Sequence, residues 1–423
     1  MGSVKDLVIG CSPAGRLYTP PTDTEFGKGV WQVSGRFSVG DLKEVIPDTT
    51  IKDKAEALTM STAAFFEWLT EHHPEIPTCY IGVLGEDSEV TSVRDLIDRG
   101  QKTNMLVMKL AHVPETYCHG DLKAYREAIS SGKLQCGVAD VESIFRHGFP
   151  LGSSTFEKIF NEVGKGEEYE TLATYPETIA ALDEIRVMVA KRGLREFPGL
   201  EKLLAKSDLT GIPNPGFVLK HIVYNSTSKF EVAGDRELTP EEERKFSGLS
   251  EEGYALWTQH MFPELARAQI QFCDERGILN IDGKAECVTY RRKPVVTDFA
   301  CTVDENRLMI IVEFNGERWA IPSNKEIQRA IFRREGVYAA IAEAKRSASK
   351  KGSVKEWRNY VPQILRDRGI NLRGVAEHSC DLMGYAIGEV ANRILGEKVF
   401  DAPLLYSWVP DFLPYASKVE YQK

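Results

Sequence analysis

The stretch from Asn280 to Arg307, NIDGKAECVTYRRKPVVTDFACTVDENR, constrains this chain more than any other. It places Asp282, Lys284 and Glu286 at every second position, turns at Arg291-Arg292-Lys293-Pro294, and returns through Asp298 to Asp304-Glu305-Asn306-Arg307. Strand side chains alternate between faces, so the three charged residues should project from one face while Ile281, Gly283, Ala285 and Cys287 point from the other. Acids and a lysine alternating on a strand, with another acid on the returning one, suit a divalent cation and a polyphosphate: hard oxygen ligands for Mg²⁺ and an ammonium for phosphate charge. The same spacing also describes a solvated hairpin face with cross-strand ion pairs. The rest of the chain has to separate the two.

A chain of 423 residues is long enough for two or more lobes. Its formal charge of −9 argues against a nucleic-acid partner, because a phosphate backbone demands a basic surface. The longest basic run, Lys345 to Arg358, carries Ser and Gly and reads as an exposed loop between helices. Eight cysteines, none in a C-x-x-C pair, lie in apolar segments and read as reduced core residues. The opening Met1 to Leu7 lacks a basic region followed by a long apolar one, and no window approaches a membrane span. The expectation is a cytoplasmic protein without a membrane partner.

Strands are expected near Lys5, over Phe26 to Val33, Thr78 to Leu84 and Asn104 to Leu110, with an amphipathic helix from Lys54 to His72 between them. No Walker loop and no Rossmann fingerprint occurs. A strand leading into the connector at Val113-Pro114 after a β-rich first lobe is where kinase-like folds hold an adenine. A polar segment, 115–140, carries one short helix from Leu122 to Ser130. Then comes a strand over Val141 to Arg146 and the turn His147 to Ser154, opening a helix at Thr155. Arginine at a strand end, serine hydroxyls of Ser153 and Ser154, and the helix's N–H groups could converge on a phosphate; an N-capped helix beside a structural arginine fits as well. Thr239-Pro240-Glu241-Glu242 is a capping box. The proline- and aromatic-rich end, Ala402 to Tyr415, reads as a strap over a hydrophobic surface or as a subunit contact, which allows a homo-oligomer.

The order of motifs resembles one family, the phosphoribosylaminoimidazole-succinocarboxamide (SAICAR) synthetases. The matching pieces are GSVKD from Gly2, GRFSVGD from Gly35, MLVMKLAHVP from Met105, VESIFRHGFPLGSS from Val141, STSKFEVAGDRELT from Ser226, DGKAE from Asp282, TDFACTVDENR from Thr297 and NKEIQR from Asn324. The resemblance implies a two-lobed α+β fold with a kinase-like ATP lobe, its antiparallel sheets flanked by helices. An ATP-covering β-rich lobe would span 1–112, a substrate and catalytic lobe 113–400, and a tail strap 401–423. It also implies an ATP-dependent carbon–nitrogen ligase of purine biosynthesis with Mg²⁺ as cofactor. Carboxyaminoimidazole ribonucleotide would be phosphorylated on its carboxylate, and L-aspartate would attack the acyl phosphate.

Carried over by position, the resemblance puts Lys5, Val107, Lys109, Leu110, Lys284 and Glu286 on ATP, with the strand acting mostly through its backbone. Glu286 and Asp298 would hold Mg²⁺, and Lys284, Asp298 and Lys229 would be catalytic. Arg146, Ser153, Ser154 and Arg307 would anchor the ribotide phosphate, and Asp41, Asp235 and Lys325 would complete the substrate site. Three positions depart from the family pattern. Gly35 stands where many members have aspartate, Phe299 replaces the second acid of a D-E pair, and Asn324 replaces the aspartate of a D-K pair. A paralogous amide ligase with another amino acid or azole carboxylate, a small-molecule kinase of related lobe arrangement, and a non-catalytic nucleotide-binding protein remain alternatives.

Overall fold

The computed structural model describes residues 5–36, 50–231, 236–323, 325–350, 354–402 and 405–422, with the backbone alone at 325, 354–356 and 405–408. Two sheets organise these residues. The first has the order β1-β2-β5-β3-β4, from Lys5–Val8 (β1), Gly27–Val33 (β2), Tyr80–Leu84 (β3), Val90–Thr91 (β4) and Met105–Leu110 (β5), all antiparallel. The helix Lys54–His72 lies where its apolar spacing places it and buries Leu58, Phe65, Phe66 and Leu69 in the main core. Leu106 and Met108 of β5 join the same core, whereas Val107 faces a separate cluster with Ala14, Val30 and Leu84.

The second sheet is built from Cys136–Phe149 (β6), Phe217–Thr227 (β7), Ile278–Tyr290 (β8), Lys293–Thr297 (β9), Asn306–Phe314 (β10), Glu317–Pro322 (β11), Ser417–Lys418 (β12) and Glu420–Tyr421 (β13). Its order is β12-β11-β10-β8-β6-β7-β13, with β9 paired to β8 as the expected hairpin. Arg291 and Arg292, at the hairpin turn, both take positive φ, the two-residue geometry whose twist matches the flanking strands. The tail does more than strap a surface. Ser417 and Lys418 pair with β11 at one edge of the sheet, while Glu420 and Tyr421 pair in parallel with β7 at the other. One short segment thus covers both edges and encloses Val218, Leu279, Ile281, Met309 and Ala320.

Several expectations need correction. Residues 345–350 belong to the helix Val337–Lys350, because Ala340, Ala344 and Ala348 form a buried stripe beneath the basic surface. The segment 115–140 is not a purely polar insert: it forms the helices Pro114–Cys118 and Leu122–Ser131, buries Tyr125 fully, and from Cys136 is already part of β6. All eight cysteines are free, but Cys11 is exposed and Cys118 only partly buried. Among the described residues no helix is long and apolar enough to cross a membrane.

Candidate active site

Strand register gathers the charged side chains. Glu142 of β6 lies opposite Glu286 of β8, and Arg146 lies opposite Asp282, so all four share a face with Lys284. The opposite face carries Ile281, Ala285 and Cys287, all buried. The charged face is covered as well, since Asp282 and Glu286 are only 6% and 4% exposed. That excludes the solvated hairpin. Buried charges persist only when paired, and these are arranged in two groups about 13 Å apart along the strand.

The first group lies where β1 of the small sheet meets the large one. Lys5 bonds Asp298 and lies 3.4 Å from Glu305. Lys284 reaches Glu142 at 2.8 Å, Glu305 at 3.0 Å and Glu286 at 3.8 Å. Lys229 bonds Glu286 and lies 3.8 Å from Asp298. Its loop is pinned from below, where buried Asp140 accepts the N–H groups of Lys229 and Phe230 and pairs with Arg126. Three ammonium groups thus share four carboxylates. Glu142 and Glu305 had no expected role: strand register brings in the first, and the loop from Asp298 to Glu305 folding back brings in the second. The one local hint was their place in the VESIFR and DENR motifs.

The environments of the two expected metal ligands diverge. Burial pushes the Glu286 carboxyl up to about 8, opposed by Lys229 and reinforced by Asp298. Burial would raise Asp298 too, but Lys5 and then Lys229 outweigh it and hold that carboxyl well below the usual range. Lys229 and Lys284 are both raised: burial opposes their charge and the carboxylates more than restore it. Asp298 sits at φ 66°, and its carboxylate, which pairs with Lys5, also accepts the N–H of the next residue, Phe299, at 2.8 Å. Phe299, in place of an acid, is buried, stacks on Trp31 and places its ring 4.2 Å from the Lys5 ammonium. The cation loses a carboxylate there and gains an aromatic face. Gly35 is similarly confined, since a Cβ would come within 3.0 Å of the Ile51 carbonyl.

The second group is made of arginines. Arg146 donates to Ser153 at 3.1 Å and bonds Thr155, while Ser153 caps the helix Ser154–Glu162. Arg307 bonds Asp282 and reaches Glu326 at 2.9 Å, and Arg329 reaches Glu326 at 2.8 Å. Burial lowers Arg146, with Asp282 opposing; Arg307 is raised, because Asp282 and Glu326 outweigh its burial. Arg146, Ser153 and Arg307 therefore do converge, although Arg307 is held by two carboxylates.

Other expected residues fall differently. Asp41 and Asp235 lie outside the described residues, as does the Lys325 side chain. Pairing occupies both edges of β5 at Val107 and Met108, and the Lys109 N–H donates to the Cys79 carbonyl, so the backbone there is not free for a base. Val107 and Lys109 project from the face opposite Leu106 and Met108, away from the lysine junction. Leu110 is on the junction side: a Cβ on Gly29 would meet the side chains of Leu110 and Leu7 at 2.7 and 2.8 Å, and Leu7 shares a face with Lys5.

A two-lobed α+β chain with a lysine–carboxylate junction between its sheets, and an arginine pocket on the same strand face, has the layout of a protein that gathers several anions. The chain resembles the SAICAR synthetases over nearly its whole length. A protein of Archaeoglobus fulgidus, provisionally named phosphoribosylaminoimidazole-succinocarboxamide synthase, is 28% identical over 408 residues, 96% of each chain. Among solved structures, the SAICAR synthase of Saccharomyces cerevisiae complexed with SAICAR aligns over 94% of both chains with 12% identity and a TM-score of 0.47. A SAICAR synthetase in complex with ADP aligns over 80% of this chain and 94% of its own, with 13% identity and a TM-score of 0.43. No protein-family model matches.

Proposed function

We propose that this chain is an ATP-dependent carbon–nitrogen ligase that joins L-aspartate to the carboxylate of carboxyaminoimidazole ribonucleotide, giving SAICAR in purine biosynthesis. The observation that carries the reading is the junction of Lys5, Lys229 and Lys284 with Glu142, Glu286, Asp298 and Glu305, drawn from both sheets. Phosphoryl transfer between two anions needs mobile cations where the phosphates meet, and lysines on flexible stems supply them. The small sheet would cover ATP, with Leu110 and Leu7 lining the base side.

Mg²⁺ fits the donor set. Glu286 and Asp298 are hard oxygen ligands brought together around Lys229, and no group of three or more acidic, His or Cys residues forms a cage among the described residues. A magnesium ion held by one or two carboxylates completes its shell with water and phosphate oxygens. When bound, it would neutralise charge on the transferring phosphoryl group.

The chemistry then balances as follows. A carboxylate oxygen of the ribotide attacks the γ-phosphorus and ADP leaves. The amine of aspartate attacks the resulting acyl phosphate, phosphate departs, and the amine gives up a proton. Lys5 and Lys284 would hold the β- and γ-phosphates, while Arg146, Ser153 and Arg307 would fix the ribotide's phosphate. About 13 Å between the two groups suits a ribotide laid along the strand face, carboxylate at the lysine end. Purified protein given ATP, Mg²⁺, the ribotide and aspartate should release ADP and the succinocarboxamide together. ADP release that is indifferent to the ribotide, or a stable phosphoester without amine consumption, would overturn the reading. Phe299 favours one variant of it, a ligase for a different amino acid, and the same assay with other amines decides between them.

A further inference from the structure

Glu326 occupies an unusual place. It lies in the first turn of the helix Lys325–Arg334, yet its carboxylate does not face solvent: it is 4% exposed and wedged between Arg307 and Arg329. Its other side meets the turn that precedes the helix Ser154–Glu162. A Cβ built on Gly152 would fall 1.3 Å from Glu326 Oε2, so the carboxylate fills the space any larger residue there would need. Arg146, Ser153 and Thr155 adjoin from the other strand. Arg333 adds a fourth guanidinium beside Glu326, stacked over Tyr169 and Tyr338. A carboxylate against a glycine-serine turn and two arginines stands where an external anion would be best held.

We propose that Glu326 is the specificity-determining residue of this pocket: its carboxylate occupies the place of the ligand's phosphate, and only an anion strong enough to displace it, a phosphomonoester dianion, is admitted. The inference rests on the reading of Arg146 and Arg307 as phosphate anchors. A tethered carboxylate competes at high effective concentration, so free monoanionic carboxylates are excluded. A phosphomonoester carries twice the charge and three acceptor oxygens, enough to engage Arg146, Arg307 and Arg329 together. Among the described side chains, four guanidinium groups face the two carboxylates of Asp282 and Glu326, a net positive charge that suits a dianion. When the phosphate enters, Glu326 moves off Arg307 and Arg329, and the phosphate takes the space beside Gly152.

The test is titration of the full chain with ribose 5-phosphate at pH 8, by calorimetry, for the wild type and three variants. Glu326→Gln removes the competing charge. Glu326→Ala removes the charge and the side chain together and leaves the Gly152 turn open, so it reports on exchange even if the first variant folds poorly. Arg146→Ala tests the underlying pocket. Apparent affinity is reduced by the fraction of time the pocket is closed, so Glu326→Gln and Glu326→Ala should each bind roughly tenfold tighter or better. Acetate, inert towards the wild type at millimolar concentration, should bind Glu326→Gln. Unchanged or weaker ribose 5-phosphate binding in both Glu326 variants, with the wild-type circular dichroism spectrum retained, overturns the proposal and makes Glu326 a support for Arg307. If Arg146→Ala still weakens binding in that case, the phosphate site stands and only the exchange falls. Binding indifferent to Arg146→Ala removes both.

Discussion

The lysine junction and the arginine pocket share one face of β6 and β8, yet they handle charge in opposite ways. At the junction the cations are lysines and their partners come from both sheets: Lys5 from β1, Lys284 and Glu286 from β8, Glu142 from β6, and Asp298 and Glu305 from the loop that follows β9. Any shift of the small sheet changes that group. In the pocket the cations are arginines, and Arg146, Ser153, Arg307, Asp282 and Glu326 all belong to the large sheet or the helices beside it. Lysine is a movable point charge and arginine a rigid fork. On the proposed reading, one end of the face serves a charge that moves during reaction and the other a charge that stays put.

Removing one charge from each end should therefore produce different kinetic signatures. Glu286→Gln takes the proposed metal ligand and the partner of Lys229 away together, and it should lower kcat by roughly 10²–10³-fold, the scale for losing one preorganised charge at a reacting centre. Steady-state rates across a Mg²⁺ titration check this, and a wild-type rate at limiting Mg²⁺ would take Glu286 out of the metal site. Arg146→Ala should leave kcat largely intact and raise the ribotide's KM by about 10- to 100-fold, from the ~1.5–3 kcal/mol of a charge-assisted contact. If both variants fall in kcat alone, the division between moving and fixed charge is wrong.

Gly283 lies midway between the two ends and probes the strand itself. A Cβ there would meet Asn306 Nδ2 at 2.0 Å and the Phe145 ring at 2.8 Å, on the face away from the charges. Gly283→Ala should destabilise the protein by about 1–3 kcal/mol through overpacking, measured by urea unfolding. The loss of activity should be shared between kcat and KM, because both groups ride on the strand.

Much of this layout was legible in the sequence because it is local. Period-two alternation placed Asp282, Lys284 and Glu286 on one face, helical spacing set the bounds of Lys54–His72, and the glycine-serine turn marked the start of the helix Ser154–Glu162, although β6 runs past Arg146 to Phe149. What stayed hidden depends on distance in the fold. Glu142 joins the junction only because β6 pairs with β8 in a register that sets it opposite Glu286. Glu326 comes from a helix whose pattern says amphipathic and nothing more. The resemblance puts Val107 and Lys109 on the nucleotide mostly through their backbone, and only the fold shows β2 and β3 pairing on both sides of Val107 while its side chain packs in the Ala14 cluster. The closing strands of the tail are two residues each, too short for any periodicity.

The smallest expected effect concerns pH, and it separates the two groups without a substrate. With no metal bound, burial shifts the Glu286 carboxyl of the folded chain up to about 8 against the pull of Lys229, whereas an unfolded glutamate titrates near 4.3. Between those values the folded state binds the extra proton, so stability contributed by this group is fully present below the unfolded pKa and declines as pH rises toward 8. The limiting slope is about 1.4 kcal/mol per pH unit. Asp298 has the opposite sign: its folded pKa is depressed, so its contribution is present above the unfolded value near 3.9 and is lost only in acid. Lys229 and Lys284 are raised from values already above 10, so neither titrates in this window. Denaturation midpoints from pH 5 to 8 should thus fall more steeply for the wild type than for Glu286→Gln, which has no proton to lose. Arg146→Ala should retain the wild-type slope, because no shifted carboxyl or imidazole depends on it. Parallel slopes for the wild type and Glu286→Gln would mean that the lysines hold Glu286 ionised throughout, and that the junction is as fixed in charge as the pocket.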